Sequence, residues 1–350
     1  MQPAGQQAQP LRLDAARKSV RLNVHGLAVE LRCALPGLRQ VIDDLLGSLA
    51  APEWPDGFTP VEGSIENYDA DLVARSLSTS AERVASFGDD AELWRDQERC
   101  WLIDEAWGVC EVNLLKRTWR TWLLPIAEAD PFRAVDHAVF WPMGQILSTR
   151  GLSIVPAASI VHRGRGVLLL SPFNLEPELS MLALAGHGLI AQRWTALREE
   201  DGKPVLLSLP GRIERSPVPQ LRSRLRIEPG TTTGPEWIDL SLQATTTCPY
   251  AWCEAALIVE PGRRATATSK PLTGASAVAA LRRAWPVTEL TSAQAHAALA
   301  RRLAASATVC QIELSRDPRA LLRLLESLPA TDRRSVEASV NADAARTRVA

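Results

Sequence analysis

From Ser19 the segment SVRLNVHGLAVELRC alternates apolar and polar positions. Val20, Leu22 and Val24 share one face, and past the Gly26 turn Leu27, Val29 and Leu31 do the same. A period of two on either side of a turn predicts a hairpin. PGLRQVIDDLLGSL follows with Leu38, Val41, Ile42, Leu45 and Leu46 at helical spacing and Gly47 as a stop. Residues 51–70 are rich in Pro, Gly and Asp and read as a loop. DADLVARSLSTSAERVASFG reads as helical or mixed. Three Trp-, Val- and Leu-rich strands are then expected at 100–103, 109–115 and 118–124, the first two separated by the DEAWG turn. DPFRAVDHAVFWPMGQILSTRG predicts a helix through Phe132, Val135, Val139 and Phe140 that Pro142 should kink or end.

The middle of the chain has the clearest pattern. Residues 153–161 read as a strand, Gly164 and Gly166 as a turn, and 167–170 as a second strand. A loop over 171–176 leads into a short apolar helix from about Pro177 to Ala185, with Gly186 or Gly188 as its stop, and another strand begins at Leu189. Strand, loop, helix, strand is a βαβ unit and implies a parallel sheet. Further on, VLLSL, IDLSLQ, AALIVE and ATVCQIELS read as strands. SAVAALRRAW, TSAQAHAALARRLAAS and DPRALLRLLESL read as helices, the last with Asp317 as N-cap and Pro318 at its first position.

Composition narrows the class. The chain has 350 residues, enough for two domains at roughly 150 each. It is 46% hydrophobic and 23% charged, which supports a packed core and excludes a disordered chain. The formal net charge of −1 gives no field to gather nucleic acid or an anionic membrane. No stretch approaches the roughly 20 apolar residues of a membrane helix, and MQPAGQQAQP lacks a signal core, so a cytoplasmic protein is expected. The six cysteines are scattered and expected reduced. CPYAWC, with Cys248 and Cys253, reads as two strand cysteines, and neither HExxH nor a zinc spacing occurs, so no metal is expected. The basic cluster Arg212, Arg215, Arg222, Arg224 and Arg226 reads as a solvated loop.

The run 151–194 resembles the catalytic domain of the HPr kinase/phosphorylase family and its bacterial relatives. IVPAASIV matches a small-residue strand, HRGRGVLLL a turn and apolar strand, and Ser171-Pro172 the opening of the phosphate loop. Gly186-His187 and then Leu189-Ile190-Ala191 match the end of the unit. The resemblance implies an α/β fold with a P-loop-kinase-like sheet and flanking helices, following an N-terminal α/β domain. The expected organisation is a polar tail at 1–17, an N-terminal domain with Trp-rich strands at 18–128 and the kinase-like domain at 129–290. A helix–strand–helix extension at 291–330 and a frayed tail at 331–350 complete it.

The family's signature residues are missing from that frame. A P-loop uses glycines to converge backbone N–H groups on phosphate, a lysine to neutralise it and a hydroxyl to hold Mg²⁺. Residues 171–178 contain no glycine or lysine and no hydroxyl in their second half, and no lysine occurs from 117 to 202. Glu176 and Glu178 place negative charge at the helix N-terminus where phosphate would sit, and Pro177 has no N–H to offer. The family's two acids are replaced by Gln192 and Arg193, and its strand histidine by Pro156. His162 is expected to be an exposed turn residue. His187 is expected to contact carbonyls at the helix end. The reading is a kinase-like protein that has lost ATP binding and phosphotransfer. It has no catalytic, cofactor-binding or metal residues of its own and serves as an interaction or regulatory module for an unknown protein partner. A homo-oligomer stays open, since the family's oligomeric habit does not carry over without its interface residues. The alternative is an active ATP- and Mg²⁺-dependent phosphotransferase with a rearranged site, Arg165 or Arg193 standing in for the lysine.

Overall fold

The structure is a computed structural model. It describes residues 19–51, 59–87, 91–171, 175–211, 213–214, 237–238, 248–262, 267–284, 293–315, 317 and 319–327. The expected tails, the arginines of the 212–226 cluster, most of IDLSLQ and the loop residues 172–174 lie outside these. The described residues fall into two compact units, the first running to Ile154 and including Ala293, the second made of the rest from Val155 onward.

The first unit is built on an eight-stranded sheet. Its strands are β1 (Ser19–Val24), β2 (Leu27–Cys33), β3 (Val61–Asn67), β4 (Glu82–Phe87), β5 (Ala91–Arg95), β6 (Arg99–Asp104), β7 (Gly108–Asn113) and β8 (Thr118–Leu123). Their order is β1-β2-β3-β8-β7-β6-β5-β4. The hairpin β1–β2 turns through His25 and Gly26, both at positive φ, the pair a type I′ turn needs. Helix α1 (Pro36–Leu46) buries Leu38, Ile42, Leu45 and Leu46, as its spacing predicts.

Strand β3 lies inside the segment read as a loop, and it is central, hydrogen-bonded in parallel to both β2 and β8. Its pattern hides it. Val61 and Ile65 point inward, but between them the inward position is Gly63, and the outward face is Glu62, Ser64 and Glu66. Gly63 is dictated by packing, since a Cβ there would lie 2.2 Å from the Trp119 ring.

The helical segment after β8 passes through Pro142. It comprises α3 (Pro131–Val135), a π-helical turn at Asp136–Phe140 and α4 (Trp141–Ser148). Proline has no N–H to give the carbonyl four residues back. That carbonyl, of Ala138, instead accepts the indole N–H of Trp119 at 3.0 Å and the Thr121 hydroxyl at 3.4 Å. The segment is thereby tied to β8, and the boundary between units falls at 154 rather than near 128. On the other face, short helix α2 (Ala70–Ser76), capped by Asp69, lies over Trp101, Val109 and Trp122.

The second unit carries a mixed sheet. Its main strands are β10 (Ala158–His162), β11 (Arg165–Leu170), β12 (Gly188–Ala191), β13 (Trp194–Glu200), β14 (Lys203–Leu207), β17 (Tyr250–Pro261), β18 (Thr268–Leu272) and β19 (Thr308–Leu314). Strand β9 (Leu152–Pro156) edges it beside β13, and β15 (Ile213–Glu214) pairs with β16 (Trp237–Ile238) separately. The single strand expected over 153–161 is therefore two, broken at Ala157. Strands β11, β17 and β19 are parallel neighbours, but β10 lies antiparallel between β11 and β12. The expected βαβ crossover is present with a strand inserted, so the sheet is mixed rather than parallel.

Helices cover both faces. Helix α5 (Glu176–Leu184) and α8 (Ala320–Ser327) pack over Val167, Leu169, Ala255 and Leu257. Helix α6 (Gly274–Ala284) and α7 (Ala293–Ser306) pack over Leu168, Leu170, Ala256 and Ile258. Burial on both faces explains the unbroken apolar runs of β11 and β17. The segment expected as a C-terminal extension belongs to this core, because β19 lies between β17 and β18.

Candidate functional site

Strand direction decides what can meet at the suspected phosphate site. Ser171 follows the carboxyl end of β11, and Leu175 leads into α5. Strand β12 runs the same way as β11, so Gln192 and Arg193 leave the sheet at the same edge, and antiparallel β10 begins there just after Pro156 and Ala157. The carboxyl edge is where open α/β sheets bind ligands. The fold therefore gathers residues 156, 176–178 and 192–193 on one edge.

The first turn of α5 holds Glu176, Pro177 and Glu178. Leu175 caps it without a side-chain hydrogen bond, and the Ser180 hydroxyl donates to the Glu176 carbonyl at 2.8 Å. Glu178 is half-buried; burial raises its carboxyl pKa above the ordinary value, and its Oε2 finds no hydrogen-bond partner among the described residues. The helix ends as the sequence predicts. Gly186 has φ +85°, its N–H donates to Ala183 and that of His187 to Leu182, a Schellman motif.

Arg165 cannot stand in for a P-loop lysine. It opens β11, at the opposite end from the loop, and pairs with Glu254 on β17 at 3.3 Å. Six residues of strand span roughly 17 Å. Arg193 is on the correct edge.

Two histidines of the unit, His162 and His187, come together at that opposite edge, an arrangement the sequence reading missed. His162 is 3% exposed rather than a solvated turn residue, and its Nδ1 lies 3.2 Å from Nδ1 of His187, with ring centroids 4.9 Å apart. Burial is the main reason the His162 pKa falls to about 4, with His187 and Arg163 adding to it; His187 is lowered too, again chiefly by burial. The pair is neutral at pH 7, one ring donating to the other, and it fastens the end of β10 to the α5–β12 turn. Only its spacing, Gly-rich turns at 164 and 186 each next to a histidine, hinted at it.

No disulfide joins Cys248 and Cys253, which are free, and burial pushes Cys253 up to about 12. Cys33 rises to about 11 and Cys100 to about 12 for the same reason. A thiol so shifted is not an available nucleophile. Among the described residues, no three His, Cys, Asp or Glu side chains group as a metal site, and no helix is long and apolar enough to cross a membrane.

No family model and no curated protein matches this chain. Among solved structures, the HPr(Ser) kinase/phosphatase from Coxiella burnetii is similar at 14% identity and a TM-score of 0.26, over 49% of this chain and 91% of that one. It is a weak likeness to a kinase fold.

Proposed function

We propose that the second unit is a kinase-type α/β module whose nucleotide site has been given over to its own helix, and that the chain acts as a non-catalytic interaction or regulatory protein. The observation that carries this reading is the first turn of α5. Two carboxylates, Glu176 and Glu178, occupy the N-terminus that would otherwise receive phosphate, on the sheet edge where ligands bind. Carboxylates there complement the helix dipole and repel a nucleotide. With no lysine from 117 to 202 and Gln192-Arg193 in place of two acids, the edge lacks the lysine and the paired acids that phosphoryl transfer uses.

The test is titration of the full chain with ATP and Mg²⁺, read by calorimetry and thermal shift. No heat and no rise in Tm are expected, since a ligand that bound the native state would raise its stability. Saturable binding with phosphoryl transfer would overturn the reading in favour of a rearranged, active phosphotransferase. Rebuilding 171–178 as a Gly-rich, Lys-containing loop should bring back nucleotide binding. Turnover should need acids at 192 and 193 as well, because these parts act together.

A further inference from the structure

The open face of the first unit's sheet carries a groove of about 940 Å³ running over β2, β3 and β8. Its floor is set by strand register. Arg32 is opposite Ser64, and Ser64 is opposite Arg120, so two guanidinium groups straddle one hydroxyl two strand spacings apart, about 10 Å. The Ser64 hydroxyl has no protein partner among the described residues. Arg32 pairs with Glu30 at 3.6 Å, and Arg120 pairs with Glu66 at 3.4 Å and lies over the Trp122 ring, with more than half of each arginine side chain exposed. Exposed pairs of this kind contribute little to stability, so a better carboxylate displaces them. Glu62 stands two residues from Ser64 on the same face, about 7 Å along the strand. Its carboxylate makes no ion pair among the described residues.

The charge pattern selects the ligand. Glu62, Glu66, Asp69 and Glu111 line the groove and oppose a phosphate backbone, while Arg32, Arg120 and Lys116 oppose a metal ion. The floor is too polar for an apolar ligand. Strand β3 is hydrogen-bonded on both sides, so no free edge exists for strand addition and side chains must do the recognising. We propose that this groove binds a short peptide carrying a carboxylate and a cationic group within about 10 Å of each other, the carboxylate on Arg32, Ser64 and Arg120 and the cation on Glu62. This does not rest on the fate of the nucleotide site.

The probe is trialanine, which carries both charges, set against its N-acetylated and C-amidated forms, with the full chain. Saturation-transfer NMR at concentrations up to about 10 mM covers even weak binding. Transfer to trialanine is expected, weakened at least about fivefold by either blocked terminus and by E62Q or the double variant R32A/R120A. R83A, on a strand outside the groove, should leave it unchanged. All these side chains are exposed, so the variants should fold, which their Tm checks. No transfer to trialanine, or transfer that survives R32A/R120A, would overturn the proposal.

Discussion

Gly63 and Trp119 show how one residue can be fixed by another. The Trp119 ring is buried, and its indole N–H is held by the Ala138 carbonyl at 3.0 Å, so it cannot retreat from a new side chain. Gly63→Ala should therefore destabilise the first unit by about 1–3 kcal/mol, the usual cost of overpacking, read as a lower urea midpoint with unchanged slope. An unchanged midpoint would mean that the ring moves. His137, 8% exposed in the π-helical turn, has its pKa lowered to about 4, chiefly by burial, with Asp104 opposing. The sign follows from linkage. Below about pH 6.5 the unfolded chain takes up a proton that the folded chain refuses until about pH 4, so stability is complete above 6.5 and is lost as the pH falls. A shift of that size corresponds to at most about 3 kcal/mol. His162 behaves alike, so His137→Leu should remove about one proton from the slope of stability against pH between 5 and 6, not abolish it.

At the scale of elements, helix α5 sets two effects against each other. A carboxylate in the first turn complements the dipole, by about 0.3–1 kcal/mol when exposed. Glu178 is half-buried, and desolvation raises its pKa against a backbone hydrogen bond that lowers it. A group whose folded pKa is raised costs stability as the pH climbs through that value. Glu178→Gln should thus raise Tm slightly at pH 7, with no gain below about pH 4, where both states are protonated. A fall in Tm at pH 7 would show that the dipole dominates. The same elements show what the sequence made legible. Helices α1, α5 and α8 were readable because their apolar spacing, Gly stops and Asp317 cap are local signals. Strand β3 was not, because its inward Gly63 answers to Trp119, far along the chain. The continuation through Pro142 depended on donors from β8, and the break at Ala157 on which strands pair to either side. For the candidate site, the sequence order of β11, α5 and β12 was legible, and with it the edge that Glu176, Glu178, Gln192 and Arg193 share. The His162–His187 contact and the Arg32–Ser64–Arg120 row exist only once strands are in register.

At the scale of the whole molecule, the unit boundary makes a claim about autonomous folding. The segment from Pro131 to Ser148 buries Phe140, Met143, Ile146 and Leu147 almost completely, and it belongs to the first unit. Its Ala138 carbonyl takes two hydrogen bonds from β8. A chain cut at residue 128 would leave the sheet's apolar face open and strand the donors of Trp119 and Thr121. Each buried side chain of that size is worth about 1.5–3 kcal/mol, against a whole-domain stability of roughly 5–15 kcal/mol. Residues 1–128 should accordingly fail to unfold cooperatively, whereas residues 1–150 should give a single sigmoidal transition. The complementary pair follows: 151–350 keeps β9 and should stay monomeric, while 129–350 carries the helical segment without the first unit's sheet and should self-associate in sedimentation. Cooperative unfolding of 1–128 would move the boundary back and make the helical segment a part of the second unit.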